Sequence, residues 1–112
     1  MILTFYNGYP DYIGYRQAFL GSGTGPSSYA TNGDPTTLQN ARRLIDVIFG
    51  PVLTLSNNYF VVPYPAATGE RQVWYAKWYY AKSSLGTVWT EVSAATDLSR
   101  ETVVMGGFCG QW

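Results

Sequence analysis

The apolar and polar positions alternate most clearly over Arg71–Tyr80, where they recur with a period of two. Trp74, Ala76 and Trp78 fall on one face, and Val73, Tyr75, Lys77 and Tyr79 on the other. The stretch lacks Gly and Pro and is rich in Trp, Tyr and Val, which suit a pleated, half-buried surface. It predicts a strand roughly 30 Å long. A short strand is expected at Ile2–Tyr6, and Val52–Val62 reads as a hairpin turning at Asn57-Asn58. Pairing Ser56 with Tyr59 sets Leu55 opposite Phe60 and Leu53 opposite Val62, so all four share one face. Leu85–Ser93 is expected to pair with the long strand, with Trp78 meeting Val88 and Trp74 meeting Val92. The other face then pairs Tyr75 with Glu91 and sets Lys77 over Trp89 as a cation–π contact. This register buries no carboxylate. Thr102–Met105 is the last expected strand.

A period near 3.6 replaces the period of two over Pro35–Phe49. Leu38, Ala41, Leu44, Ile45, Ile48 and Phe49 form one stripe, with Gln39, Asn40, Arg42, Arg43 and Asp46 mostly opposite. Asp34 is a suitable N-cap, Pro35 suits the first helical position, and Gly50-Pro51 is a stop signal. The spacing predicts a helix about 22 Å long, lying over Trp74 and Trp78 as core anchors.

Elsewhere the patterning lapses. Tyr9-Pro-Asp-Tyr-Ile-Gly-Tyr15 interleaves tyrosines with Pro and Gly, and Gly21–Ser28 reads as a flexible loop. Residues 7–33 therefore resemble an arm or long loop. Ala66–Glu70 reads as a loop, Ala95–Glu101 as a connector with one helical turn capped by Thr96, and Gly106–Trp112 as a glycine-rich aromatic tail. The expected fold is α+β: a mainly antiparallel sheet of about four to six strands, one helix packed on it, and a long irregular N-terminal segment. The chain of 112 residues is expected to be a single domain. It divides into a strand plus arm (1–33), a helix and sheet core (34–105) and an aromatic tail (106–112).

Composition changes the picture mainly at the surface. Charged residues are 12% and aromatics 17% of the chain, ten of them Tyr. So small a domain cannot bury every ring, and a neutral, Tyr-rich surface favours contacts over solubility. Seven basic and seven acidic residues cancel, and the longest basic run is Arg42-Arg43. That argues against nucleic acid as a partner, because phosphate neutralisation needs a basic patch. No apolar run is long enough for a transmembrane helix, and the N-terminus has no signal-peptide pattern, so a soluble protein made in the cytoplasm is expected.

The sequence has no His and one Cys, Cys109. His-based acid/base catalysis, His metal sites and Ser-His-Asp triads are thereby excluded. No cofactor or metal is expected. The glycines of Gly21–Pro26 lack the Lys-Ser/Thr ending of a phosphate loop. Glu70, Glu91, Asp97 and Glu101 are the carboxylates available to a glycosidase pair, but no spacing selects two of them, and they read as solvated surface. Cys109 has no basic neighbour to activate it. The face carrying Tyr75, Tyr79 and Trp89 has three readings: core, protein interface, or a flat platform for sugar rings.

This small, neutral, Tyr- and Gly-rich chain resembles the structural proteins of tailed-bacteriophage virions, of the capsid decoration, cement or accessory head and tail type. The resemblance implies a non-enzymatic assembly protein located in the virion. Such a protein docks on larger subunits such as a major capsid or tail protein, commonly as a homo-oligomer. Its contact residues are expected at Tyr9, Tyr12, Tyr15, Tyr29, Phe108 and Trp112, with Tyr75 and Tyr79 second. The alternative is a carbohydrate-binding β-module using Tyr75, Tyr79 and Trp89.

Overall fold

A computed structural model describes residues 1–5, 11–13, 16–38, 43–68, 71–81 and 89–111. These residues form strands and no helix. The strands are β1 (Ile2–Phe5), β2 (Asp11–Ile13), β3 (Arg16–Thr24), β4 (Asp34–Leu38) and β5 (Arg43–Ile48). They continue with β6 (Val52–Leu53), β7 (Tyr59–Thr68), β8 (Arg71–Tyr80) and β9 (Thr102–Gln111). One sheet runs β5-β9-β3-β1-β4-β8-β7-β6, with β2 attached to β3. Only β1 and β4 pair in parallel; the other described pairs are antiparallel. The expected α+β fold with four to six strands is thus corrected to an all-β, mixed sheet.

The predicted helix is replaced by β4 and β5. Asp34, Thr36 and Leu38 are buried while Pro35 and Thr37 are exposed, a period of two that includes the β-branched Thr36 and Thr37. In β5, Ile45 and Ile48 both face inward because a bulge between Ile45 and Val47 shifts the register against β9. One inserted residue therefore turns a strand into something resembling a three-residue repeat. The anticipated packing over Trp74 survives in another form. Its indole N–H donates to the Ile45 carbonyl at 2.9 Å, so β5 crosses Trp74 as a strand.

The glycine-rich loop and the glycine-rich tail are also corrected. Gly21–Thr24 belongs to β3, and Gly106–Gln111 to β9. The two strands pair from Arg16↔Gly110 to Thr24↔Thr102. Glycine serves close approach here. A Cβ on Gly23 would lie 2.9 Å from the Ile2 carbonyl oxygen, and one on Gly107 would overlap the Val47 carbonyl oxygen. Within the irregular segment expected over 7–33, Asp11–Ile13 and Arg16–Thr24 are therefore strand. The segment Ala95–Glu101 makes turns without a helix, with Ala95 at φ 68°.

β8 has the predicted bounds, and Trp74, Ala76 and Trp78 face the core. Its partners differ. β7 pairs along its whole length, from Tyr59↔Tyr80 to Thr68↔Arg71, and β4 pairs at Thr36↔Trp74. Ala66–Thr68, expected as loop, is strand. The expected partner strand contributes one bridge, Tyr79↔Glu91, so the register over Trp74 and Trp78 is not the anticipated one; residues 82–88 lie outside the described set. The β6–β7 hairpin forms, but as Val52↔Val61 and Leu53↔Phe60. The shift from the expected register is two residues, so Leu53, Phe60 and Val62 stay on one face; that face is the outer one, with Val61 turned inward and Leu53 and Leu55 exposed.

The sheet curls around a core of Leu3, Phe19, Tyr29, Val61, Trp74, Trp78, Leu98, Val103 and Met105, among others. Its ends approach each other. Leu55 N–H, just past β6, donates to Thr102 O on β9 at 2.9 Å.

Candidate functional site

With Val61, Trp74, Ala76 and Trp78 turned inward, alternation sends Phe60, Val62, Tyr64, Tyr75, Lys77 and Tyr79 to the outer face of β7–β8. The register sets Phe60 beside Tyr79 and Tyr64 beside Tyr75. Both pairs stack, with centroids 5.2 Å apart at 13° and 5.7 Å apart at 24°. Lys77 Nζ lies 5.2 Å from the Tyr64 ring centroid. The cation–π contact expected with Trp89 is instead made with Tyr64, because β7 pairs Val62 with Lys77.

Trp89 stands at one end of this face and is 62% exposed. Its ring is edge-on to Phe60 at 4.9 Å and tilted against Tyr79 at 5.9 Å. A depression of about 250 Å³ opens beside it, lined by Pro51, Leu53, Phe60, Ala81 and Trp89. Leu53 and Leu55 are also exposed here, at 53% and 69%.

The backbone that carries Trp89 is pinned. Tyr80 N–H donates to Thr90 O, and Val92 N–H donates to Trp78 O. Glu91 Oε2 accepts from the Tyr29 hydroxyl at 2.6 Å and from Asn32 N–H at 3.0 Å. The Tyr29 hydroxyl in turn accepts from Trp78 N–H at 3.2 Å. Burial, then the Glu91 hydrogen bond, drive the Tyr29 phenol well above its ordinary value. The Tyr64 hydroxyl donates to Asn32 O, tying the same loop to the outer face.

The expected contact residues are dispersed. Tyr75, Tyr79 and Trp89 share the β7–β8 face. Tyr29 is 2% exposed and belongs to the core, so it is withdrawn as a surface contact. Phe108 lies half-buried on β9, edge-on to Phe49 at 5.8 Å. Tyr9, Tyr15 and Trp112 lie outside the described residues, and Tyr12 is placed only as backbone in β2. Phe60, Tyr64 and Leu53 were missed as surface residues. The alternation Phe60, Val62, Tyr64 was the available signal, and it points outward only once β7 is paired with β8.

The carboxylates have structural partners. Glu91 serves Tyr29 and Asn32, Glu101 accepts from the Ser56 hydroxyl, and Asp97 accepts from the Ser99 hydroxyl and N–H. Glu70 lies outside the described residues. Cys109 is fully buried. Among the described residues no three His, Cys, Asp or Glu side chains group to hold a metal ion. No helix among them is long and apolar enough to cross a membrane. Comparison of the chain with protein-family models, curated proteins and solved structures finds no match.

Proposed function

We propose that this protein is a non-enzymatic assembly component that docks on a larger protein subunit through the outer face of β7–β8. The observation that carries the reading is Trp89, an indole 62% exposed yet wedged against Phe60 and Tyr79 beside an apolar depression. A preorganised aromatic next to a hollow suits a binding hot spot, since little side-chain entropy remains to be lost. The resemblance in composition to virion structural proteins makes a capsid or tail subunit the proposed partner class.

Ring orientation favours protein over sugar. A sugar platform presents ring faces to solvent. Here Tyr79 and Tyr75 each give one face to a cross-strand neighbour, Phe60 and Tyr64. The rings form ridges, which suit side chains of a partner better than a flat pyranose.

The test is a photo-crosslinking residue at position 90, beside Trp89, in cells that make the native assembly. The expected result is one crosslinked larger subunit, lost in a Trp89→Ala background whose thermal midpoint is unchanged. Saccharide-dependent fluorescence quenching with no protein crosslink would replace this reading with the carbohydrate one.

A further inference from the structure

The chain enters β4 through a turn at 30–33, closed by Gly33 N–H donating to Ala30 O at 3.0 Å. Asn32 takes φ 77° at its third position, where a type II turn needs a positive φ and takes Gly or Asn. Gly33 follows at φ 127°, and a Cβ there would meet the Tyr64 hydroxyl at 2.7 Å and Tyr75 Cβ at 3.0 Å. Only glycine suits such a position. Turn geometry thus sets an asparagine directly before a glycine. The pair is chemically labile, because no side chain on the glycine shields its backbone nitrogen from the asparagine amide carbon. Asn32 is also exposed, so water reaches it.

The fold restrains this pair at three points. Asn32 N–H donates to Glu91 Oε2 at 3.0 Å, Asn32 O accepts from the Tyr64 hydroxyl, and Gly33 N–H is engaged by Ala30 O. Glu91 is itself held by the hydroxyl of the buried Tyr29 at 2.6 Å. The bond to Ala30 bears directly on reactivity. The Gly33 nitrogen becomes a nucleophile only by losing the proton it shares with Ala30 O, and it reaches Asn32 Cγ only when the turn lets go.

We infer that Asn32 is a guarded modification site, converted to aspartate and isoaspartate when the 30–33 turn opens, with Tyr64 and Glu91 as the groups that keep it shut. In the first step the Gly33 nitrogen attacks Asn32 Cγ and its proton passes to solvent base. The new C–N bond forms, the Cγ–Nδ2 bond breaks, and the amide nitrogen takes a proton from water and leaves as ammonia. Water then opens the cyclic imide. Cleavage between the Gly33 nitrogen and Cγ gives aspartate at 32, and cleavage between that nitrogen and the Asn32 main-chain carbonyl carbon gives isoaspartate. Water is the one co-reactant. Either product puts a carboxylate on the residue whose N–H Glu91 holds. Isoaspartate also adds a methylene to the main chain between the Asn32 and Gly33 amides, so the bonds to Glu91 and Ala30 cannot both keep their spacing. The inference concerns this loop and does not rest on the docking reading.

Peptide mapping by mass spectrometry, after timed incubation of the full chain at one mildly alkaline pH, tests it and separates Asn32 from the other such step, Asn7-Gly8. Conversion at Asn32 is expected to be at least about tenfold slower in the folded chain than in the urea-unfolded chain. Tyr64→Phe keeps the ring and removes the hydroxyl, and should speed conversion about fivefold, the opening gained by losing one net hydrogen bond. Glu91→Gln, a neutral and weaker acceptor, should speed it as well. Gly107→Ala strains the β5–β9 pairing instead and should leave the Asn32 rate within about twofold of wild type, as local opening requires. A folded wild type that converts as fast as the unfolded chain overturns the inference. So does a rate unmoved by both Tyr64→Phe and Glu91→Gln, or one that rises as much in Gly107→Ala as in Tyr64→Phe, since global unfolding would then be the route.

Discussion

Tyr29 shows how one side chain couples the core to the surface. Its ring is buried, and its hydroxyl donates to Glu91 while accepting from the Trp78 amide. Tyr29→Phe would leave a buried N–H without its acceptor and Glu91 without its shortest hydrogen bond. The expected loss is about 1–3 kcal/mol at pH 7, read from urea denaturation. The same residue predicts an alkaline limit. Its phenol is raised above 10 in the fold, first by burial and then by Glu91. Below pH 10 both states hold the proton, and this stabilisation is complete. Above pH 10 the unfolded chain loses the proton while the folded chain keeps it, so stability falls as pH rises. Tyr29 contributes a slope of about 1.4 kcal/mol per pH unit there, which Tyr29→Phe should remove. Tyr59 and Tyr64, also raised chiefly by burial, leave a residual slope of the same sign.

At the scale of the element, β5 is the strand whose pairing depends most on one absent side chain. Val47 O occupies the space a Cβ on Gly107 would need. Gly107→Ala should push β5 off β9 and cost about 2–3 kcal/mol, as overpacking does. Hydrogen exchange should locate the damage, with the Phe49 amide, bonded to Gly106 O, losing protection before the β7–β8 amides. This bulged strand also explains what could be read from the chain. Arg71–Tyr80 was legible because alternation ran unbroken and both tryptophans faced one way. Pro35–Phe49 was not, because the bulge at Ile45/Val47 brings Ile45 and Ile48 to one side at helical spacing. The capping signals around it, Asp34 and Gly50-Pro51, are equally at home at strand ends. The glycines of β3 and β9 misled for another reason. They serve neighbouring backbones, which are visible only once strands are paired. Half of the candidate site, Tyr75, Tyr79 and Trp89, followed from local alternation. The other half, Phe60 and Tyr64, required the partner strand.

At the scale of the molecule, the curl of the sheet gives one small barrel-like body two differently furnished faces. Leu55 N–H reaches back to Thr102 O, so the β6 end of the sheet is tied to β9 and no long free edge remains there. Among the described side chains, one face carries stacked rings and Trp89, and the other carries glycine, Ser, Thr and apolar side chains with Asp46 at its edge. The proposed docking uses the first of these faces. The charge distribution separates this from a charge-steered encounter. Seven positive and seven negative residues cancel over the chain. On the described outer surface of β7–β8, Lys77 is the one charged side chain, and its amine already sits over Tyr64. Screening acts on exposed charges and leaves apolar burial almost untouched. The affinity of docking through the β7–β8 face should therefore change by less than about threefold between roughly 50 mM and 500 mM salt, measured by titrating the larger subunit. A fall of tenfold or more over that range would mean that charged groups hold the contact. The rings of Phe60, Tyr79 and Trp89 would then not be the surface that meets.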